Sequence, residues 1–331
     1  MKILVRVPNW LGDVVMSTAF IAAVKQLYPD STVDIIIKSE LKGIASLIPG
    51  IDQILPFSKK EFSGLSGVFR FGKGLRPQKY DIYFSLPDSI SSAVMGWATG
   101  AKKRVGFGKE GGFFLLTKIA KKPKDTHRVD EYISLLEQFT GKAIDNRQVK
   151  LNTTPNLPKN NLVLVNFNSE AESRRMPLGI GISLINKLTN TFKDTDFAFI
   201  GAPKEADYVN QLIINSDHAS QLQNYAGKTS LPELANLMAA SKVLLTTDSG
   251  PAHLANSVGT PVIALFGAGN EFNTGPYNKN NLTILRANRL DCEPCVRNTC
   301  QLYGTPKCME LLDEFQIIEA LNNYLNTTKV G

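Results

Sequence analysis

The chain has 331 residues, 43% of them apolar and 20% charged, which excludes disordered and fibrous classes and suits two cores of ordinary size. No apolar run approaches the ~18–20 residues of a bilayer span, and the opening MKILVRVP lacks the apolar core and cleavage site of a signal peptide, so the expected location is cytoplasmic. The net charge of +7 is unevenly spread: residues 1–155 carry +9 and residues 156–331 carry −2.

In chain order, KILVRV (2–7) reads as a strand and VVMSTAFIAAVKQLY (14–28) as the helix that follows it. TVDIIIK (32–38) is the second strand, and YDIYFSL (80–86) is a later one running into a loop, PDSISSA. The stretch 127–139 is a helix with apolar residues at Val129, Ile133 and Leu136. Leu151–Asn161 is polar, holds two prolines and lacks periodicity, as a linker does. The pattern then restarts, with strands at 162–167, 196–201, 242–248 and 261–267 and helices at 179–192, 204–214, 231–241 and 251–259. Residues 311–331 form a terminal amphipathic helix that could pack back on the N-terminal domain. Strands alternating with helices in both halves predict two doubly wound parallel α/β domains, 1–152 and 161–310, with a ligand cleft between them.

The basic half suits either plain solubility or an anionic partner: nucleic acid, an acidic membrane surface or a phosphorylated substrate. Its clusters are Lys102-Lys103-Arg104, the run from Lys118 to Lys124, and Arg70, Lys73, Arg76 and Lys79. No aromatic-interleaved RNA signature or zinc-finger spacing accompanies them, so nucleic acid ranks low.

Two strand-to-helix junctions could carry chemistry. In the first, Pro8–Phe20, Gly12 permits close backbone approach and Asp13 stands in the first helical turn. Its carboxylate either complements the helix dipole or points at a ligand beyond the strand ends. In the second, Thr246–Gly267, a strand feeds Asp248-Ser249-Gly250, with Pro251 in the first turn and His253 beside it. That is the layout of a phosphate site, or of an ordinary well-capped helix. Neither a G-x-G-x-x-G after the first strand nor a P-loop motif is present, which argues against dinucleotide oxidoreductases and P-loop enzymes. Arg174 and Arg175 sit in a polar loop and could meet phosphate or only water. Glu205 follows a Gly-Ala-Pro turn and could bind ribose or only cap its helix. All four cysteines, Cys292, Cys295, Cys300 and Cys308, fall within one short stretch. Structural zinc, redox-sensitive pairs and reduced thiols are each compatible with that spacing.

Together these motifs resemble the family 9 glycosyltransferases, typified by the ADP-heptose:lipopolysaccharide heptosyltransferases. The resemblance is carried by ILVRVPNWLGDVVMSTAFIAAVKQLYP, HRVDEYISLLEQF, GKTSLPELANLMAASKVLLTTDSG, TTDSGPAHLANSVGTPVIALFGAGNEFNTGPY and the late CEPCVRNTC stretch, from Lys2 to about Met309. It implies a GT-B fold, two Rossmann-like domains facing across a cleft, the first holding the acceptor and the second an ADP-sugar donor. It further implies inverting transfer with Asp13 as catalytic base and Gly12 on the acceptor side. Arg174, Glu205, Thr229, Asp248, Ser249, Gly250, Pro251 and His253 would then be donor-binding residues. Arg174 stands where the family usually has lysine, and Arg174-Arg175-Met176 replaces its K-x-W, changing the wall beside the donor sugar. No cofactor is required by the resemblance, and the role of a divalent ion is left open. The partners it implies are the nucleotide sugar, a phosphorylated glycolipid of the lipopolysaccharide core and, peripherally, the anionic cytoplasmic face of the inner membrane; a monomer is the default. A nucleotide-sugar epimerase of the same fold and a non-catalytic nucleotide-sugar-binding protein are the alternatives.

Overall fold

The computed structural model describes residues 1–108 and 111–326, and the chain divides into two compact units, Met1–Asn152 and Thr153–Gly331. In the first unit six strands form one sheet: β1 (Lys2–Arg6), β2 (Thr32–Lys38), β3 (Gln53–Phe57), β4 (Ile82–Ser85), β5 (Lys103–Gly106) and β6 (Lys118–Ile119). Their order is β3-β2-β1-β4-β5-β6, and every pairing is parallel. The second unit repeats the plan with β7 (Leu162–Asn166), β8 (Asp196–Phe199), β9 (Leu222–Asn224), β10 (Val243–Thr247), β11 (Val262–Phe266) and β12 (Leu282–Arg286), in the order β12-β11-β10-β7-β8-β9. All of its pairings are parallel too.

The central strands are buried on both faces, as helix-covered parallel sheets must be, and this explains their unbroken runs of Val, Ile and Leu. In the first unit Phe20 meets Phe84 edge-on at 5.2 Å, and Phe84 meets Phe139 at 5.3 Å, so one aromatic column ties the flanking helices to the sheet. Asp34 is fully buried in β2, where it accepts a 2.7 Å hydrogen bond from the Tyr80 hydroxyl and lies 3.7 Å from Lys2 Nζ. Burial and that carboxylate hold the Tyr80 phenol well above its ordinary range.

The structure departs from the sequence expectations at several places. The helix expected over 14–28 is two, Leu11–Met16 and Thr18–Leu27. At the join Ser17 and Thr18 bond their hydroxyls back to the carbonyls of Val14 and Val15, competing with the helical ladder. The loop PDSISSA is largely the start of a helix, Ile90–Ala98, whose first turn is capped by Ser89 accepting from the Ser92 amide. The terminal helix runs Glu314–Asn326, with residues 327–331 outside the described set. It lies on β10, β11 and β12 of the second unit. There Ile317, Ala320 and Leu321, spaced at three and four residues, enter the core with Val163, Ile263 and Leu265. Because Leu321 is fully buried, Leu321→Ala is expected to destabilise the second unit by about 2–5 kcal/mol. An unchanged denaturant midpoint would show that the helix adds nothing to that core.

Candidate active site

In an open parallel sheet the chain leaves adjacent strands in opposite directions at one place, and the loops there splay apart into a crevice. The first sheet reverses between β1 and β4, and the second between β7 and β10. Both junctions singled out in the sequence follow strands at these reversals.

At the first reversal, a cavity of about 140 Å³ is lined by Pro8, Asn9, Trp10 and Asp13 after β1, and by Leu86, Pro87 and Asp88 after β4. Lys122, Arg128, Glu131 and Tyr132 complete its wall. The loop after β1 is pinned from below by Arg6, whose buried guanidinium donates to the Val7 and Ile36 carbonyls and to Asn9 Oδ1. Burial lowers the pKa of that guanidinium to about 10. Asn9 thus has a tethering role, while Trp10 stands 62% exposed at the cavity lip. Asp13 opens the helix Leu11–Met16, with Arg128 Nε 3.6 Å from its Oδ1. Desolvation raises the Asp13 pKa above the ordinary carboxylate range, Glu131 adds to the rise, and Arg128 and Lys122 oppose it. Gly12 is buried inside the same helix and does not line the cavity.

At the second reversal, Arg174 Nη1 lies 3.1 Å from Asp248 Oδ2, and both side chains are largely buried. Desolvation raises the Asp248 pKa, against Arg174 and Arg286, which favour its charge. Gly269 presses on this pair so closely that a Cβ there would fall 1.9 Å from Asp248 Oδ2. Arg175 turns away, donating to the Ser169 carbonyl and stacking over Tyr208, so only one of the two arginines faces the site. Ser249 precedes the helix Gly250–Ser257, but its hydroxyl is held inward by Asn166 Nδ2 and the Thr247 carbonyl. No side chain therefore caps the first turn at Gly250 and Pro251, and its positive end is left available. His253 is buried in the second turn's packing.

Glu205 and Thr229 lie on neighbouring loops beyond β8 and β9. Gly227 donates to the Gly201 carbonyl at 2.9 Å, and its φ of +71° together with its contact on Pro203 leaves no room for a side chain. Glu205 accepts from the Ala202 amide at 2.7 Å, which gives it a capping job. Met176 is 1% exposed and belongs to the core, so the departure from K-x-W at that position is one of packing rather than of an open wall. The pair Asp194 and Asp196 spells an Asp-x-Asp, but at the opening of β8, the opposite end of the sheet from these loops.

The four cysteines carry free thiols and line one small cavity with Glu293, Tyr303 and Lys307. Among the described residues no three His, Cys, Asp or Glu side chains are gathered as metal ligands would be. The stretch also acts as a brace. Ser173 donates from its amide to the Asn298 carbonyl at 3.0 Å and from its hydroxyl to the Arg297 carbonyl, while Val296 donates to the Ala268 carbonyl at 2.8 Å.

Several residues here escaped the sequence reading. Arg286, at the end of β12, pairs with Glu271 and Glu293 and donates to the Gly267 and Gly269 carbonyls, fixing the loop against Asp248. Arg128, Glu131 and Lys122 surround Asp13. Their only sequence signal was membership of a basic run and of an amphipathic helix.

Comparison with known proteins places this geometry. A lipopolysaccharide core heptosyltransferase, OpsX, of Haemophilus influenzae is 26% identical over 281 residues, covering 81% of this chain and 79% of that protein. The structure of ADP-heptose lipopolysaccharide heptosyltransferase II of E. coli superposes with a TM-score of 0.82 at 21% identity, covering 98% of each chain. That of E. coli heptosyltransferase WaaC with ADP gives 0.76 at 15% identity, covering 98% of this chain and 100% of the other. The two Rossmann-like units are thus those of the GT-B fold. The sequence model of glycosyltransferase family 9 (heptosyltransferase) matches residues 68–170 and 184–305, and the chain is a glycosyltransferase belonging to that family.

Proposed function

We propose that this glycosyltransferase moves a heptose from ADP-heptose onto a hydroxyl of a phosphorylated lipopolysaccharide-core glycolipid, with inversion and with Asp13 as general base. The observation that carries the reading is the placement of Asp13: a carboxylate in the cavity at the first unit's strand reversal, partly desolvated yet faced by a guanidinium. A raised pKa makes it a stronger base than a free aspartate, while the nearby cation favours its charged form.

In this reaction Asp13 removes the proton of the acceptor hydroxyl as its oxygen bonds to the anomeric carbon, while the bond from that carbon to the diphosphate breaks. The departing ADP gains negative charge, and positive groups aimed at it lower the barrier. Arg174 and the uncapped amides of Gly250–Ser257 are the second unit's groups of that kind. Asp248 holds Arg174 in place, and Glu205, Thr229 and His253 complete the donor side; Gly12 lets the acceptor loop pack closely. The relatives bearing heptosyltransferase names, and a structural neighbour holding ADP, support the choice of donor.

No helix among the described residues is long and apolar enough to cross a membrane, so a lipid-linked acceptor requires contact from outside the bilayer. The first unit offers a surface for it. Phe113, Phe114 and Ile119 are 40%, 82% and 50% exposed, with exposed Lys118, Lys121 and Lys124 beside them. The two phenyl rings lie 4.0 Å apart, tilted by 37°, and the segment from β6 runs directly to Lys122 in the Asp13 cavity. Aromatic rings flanked by lysines suit an anionic headgroup layer.

Asp13→Asn is expected to lower kcat by about 10²–10⁴-fold with ADP binding retained, measured by product mass from ADP-heptose and a core glycolipid. Unchanged transfer would overturn the base assignment, and conversion of ADP-heptose without acceptor would point to an epimerase. In the wild type, kcat should fall on the acid side with a midpoint above the ordinary aspartate value, because the base must be deprotonated and its pKa is raised. Arg174→Ala should weaken ADP binding by about 10–100-fold, the worth of a charge-assisted hydrogen bond, as read by calorimetry. Replacing both Phe113 and Phe114 by serine should reduce binding to vesicles containing phosphatidylglycerol at low salt; equal binding would remove this surface from the account.

A further inference from the structure

Asp13 is met by charged groups from three directions. The helix Arg128–Thr140 contributes Arg128, Glu131 and the buried phenol of Tyr132; the segment after β6 contributes Lys122; the loop after β4 contributes Asp88. Free in solution, a guanidinium and a carboxylate this near would close into a two-bond fork. Here they do not. Arg128 Nη1 is taken by Glu131, at 3.1 Å and 3.2 Å from its two oxygens, and only Nε is turned to Asp13, at 3.6 Å. That Nε is buried and makes no hydrogen bond. Glu131 also lies 3.1 Å from Lys122 Nζ, which is bonded in turn to Asp88 at 3.0 Å. With its side chain only 9% exposed, Glu131 is the fixed point from which both cations hang.

We propose that Glu131 is a positioning residue of the transfer reaction: by holding Arg128 and Lys122 it keeps two cations near the base while denying either of them a closed bond to it. The inference rests on reading Asp13 as the base. The two demands on such a base conflict, since it must be charged before the acceptor binds and must have a free oxygen when the hydroxyl arrives. A cation at hydrogen-bond contact would meet the first demand and defeat the second. A cation held just beyond contact by a third residue meets both.

The geometry predicts opposite effects from removing the two partners. In Arg128→Ala the base loses its nearest cation, and its protonation midpoint should rise by roughly one pH unit. In Glu131→Gln, Arg128 is released to close on Asp13 and a like charge is removed, so the midpoint should fall by a similar amount. Arg128→Lys keeps the charge and should stay near the wild type. The midpoints are read by ¹³C NMR titration of protein labelled at the aspartate carboxyl carbons, with the Asp13 signal identified by its loss in Asp13→Asn. Glu131→Gln should also lower kcat by about tenfold or more with the KM for ADP-heptose unchanged, because it obstructs the base and not the donor. Shifts in the same direction for both variants, or no shift, would overturn the proposal. A misfolded variant could not yield opposite shifts, and a thermal melt checks each for folding. The base reading fails separately, if Asp13→Asn transfers normally; the titration midpoints are unaffected by that result.

Discussion

Everything chemical in this protein depends on where each sheet changes direction. Two parallel strands that are adjacent in space but followed by crossovers to opposite sides cannot share a connecting path, so their carboxyl ends open a gap that side chains must fill or a ligand must occupy. β1 and β4 make that gap in the first unit, β7 and β10 in the second. Asp13 stands one short loop beyond β1, and Asp248 directly follows β10. Both are acids placed where desolvation is severe and where a cation has been brought to meet them. The resemblance between the two places follows from the topology, not from any shared local sequence.

The two acids are nevertheless handled differently. Asp248 is locked, with Arg174 at 3.1 Å and glycine backbone packed on the other side. Asp13 is left looser, its side chain 23% exposed and its cation at 3.6 Å. A buried ion pair of the first kind adds little net stability, since desolvation offsets most of the attraction, but removing one member leaves a charge stranded. It therefore serves to fix Arg174 in one orientation. The looser arrangement leaves the Asp13 carboxylate open to the cavity. Around both, further arginines tie loops to strand ends: Arg6 below the Asn9 loop and Arg286 below Gly267 and Gly269.

Much of this was legible in the sequence because the signals were local. The long buried strands announce themselves by unbroken aliphatic runs, and the junctions at Asp13 and Asp248 by a strand ending at a turn residue and an acid. What stayed hidden was of two kinds. Strands β3, β5, β6, β9 and β12 have five residues or fewer, and in each a charged, polar or proline residue breaks the apolar run. β6 in particular was read only as part of a basic cluster. The charge partners were hidden for another reason: Arg128 is more than a hundred residues from Asp13, and Arg286 nearly forty from Asp248, and nothing in their neighbourhoods distinguishes them from solvated arginines. Pairing across such separations is decided by the fold. Glu205 shows both readings at once: its type and setting suit a ligand, and one of its carboxylate oxygens caps its own turn.

The docking of the helix Glu314–Asn326 on β10, β11 and β12 means that the second unit draws its core from one uninterrupted stretch of chain. The first unit is likewise one continuous stretch, Met1–Asn152. A single recombination event near that residue would consequently exchange one unit as a continuous piece of chain. A chain so divided can diversify by exchanging a whole unit as well as by point substitution.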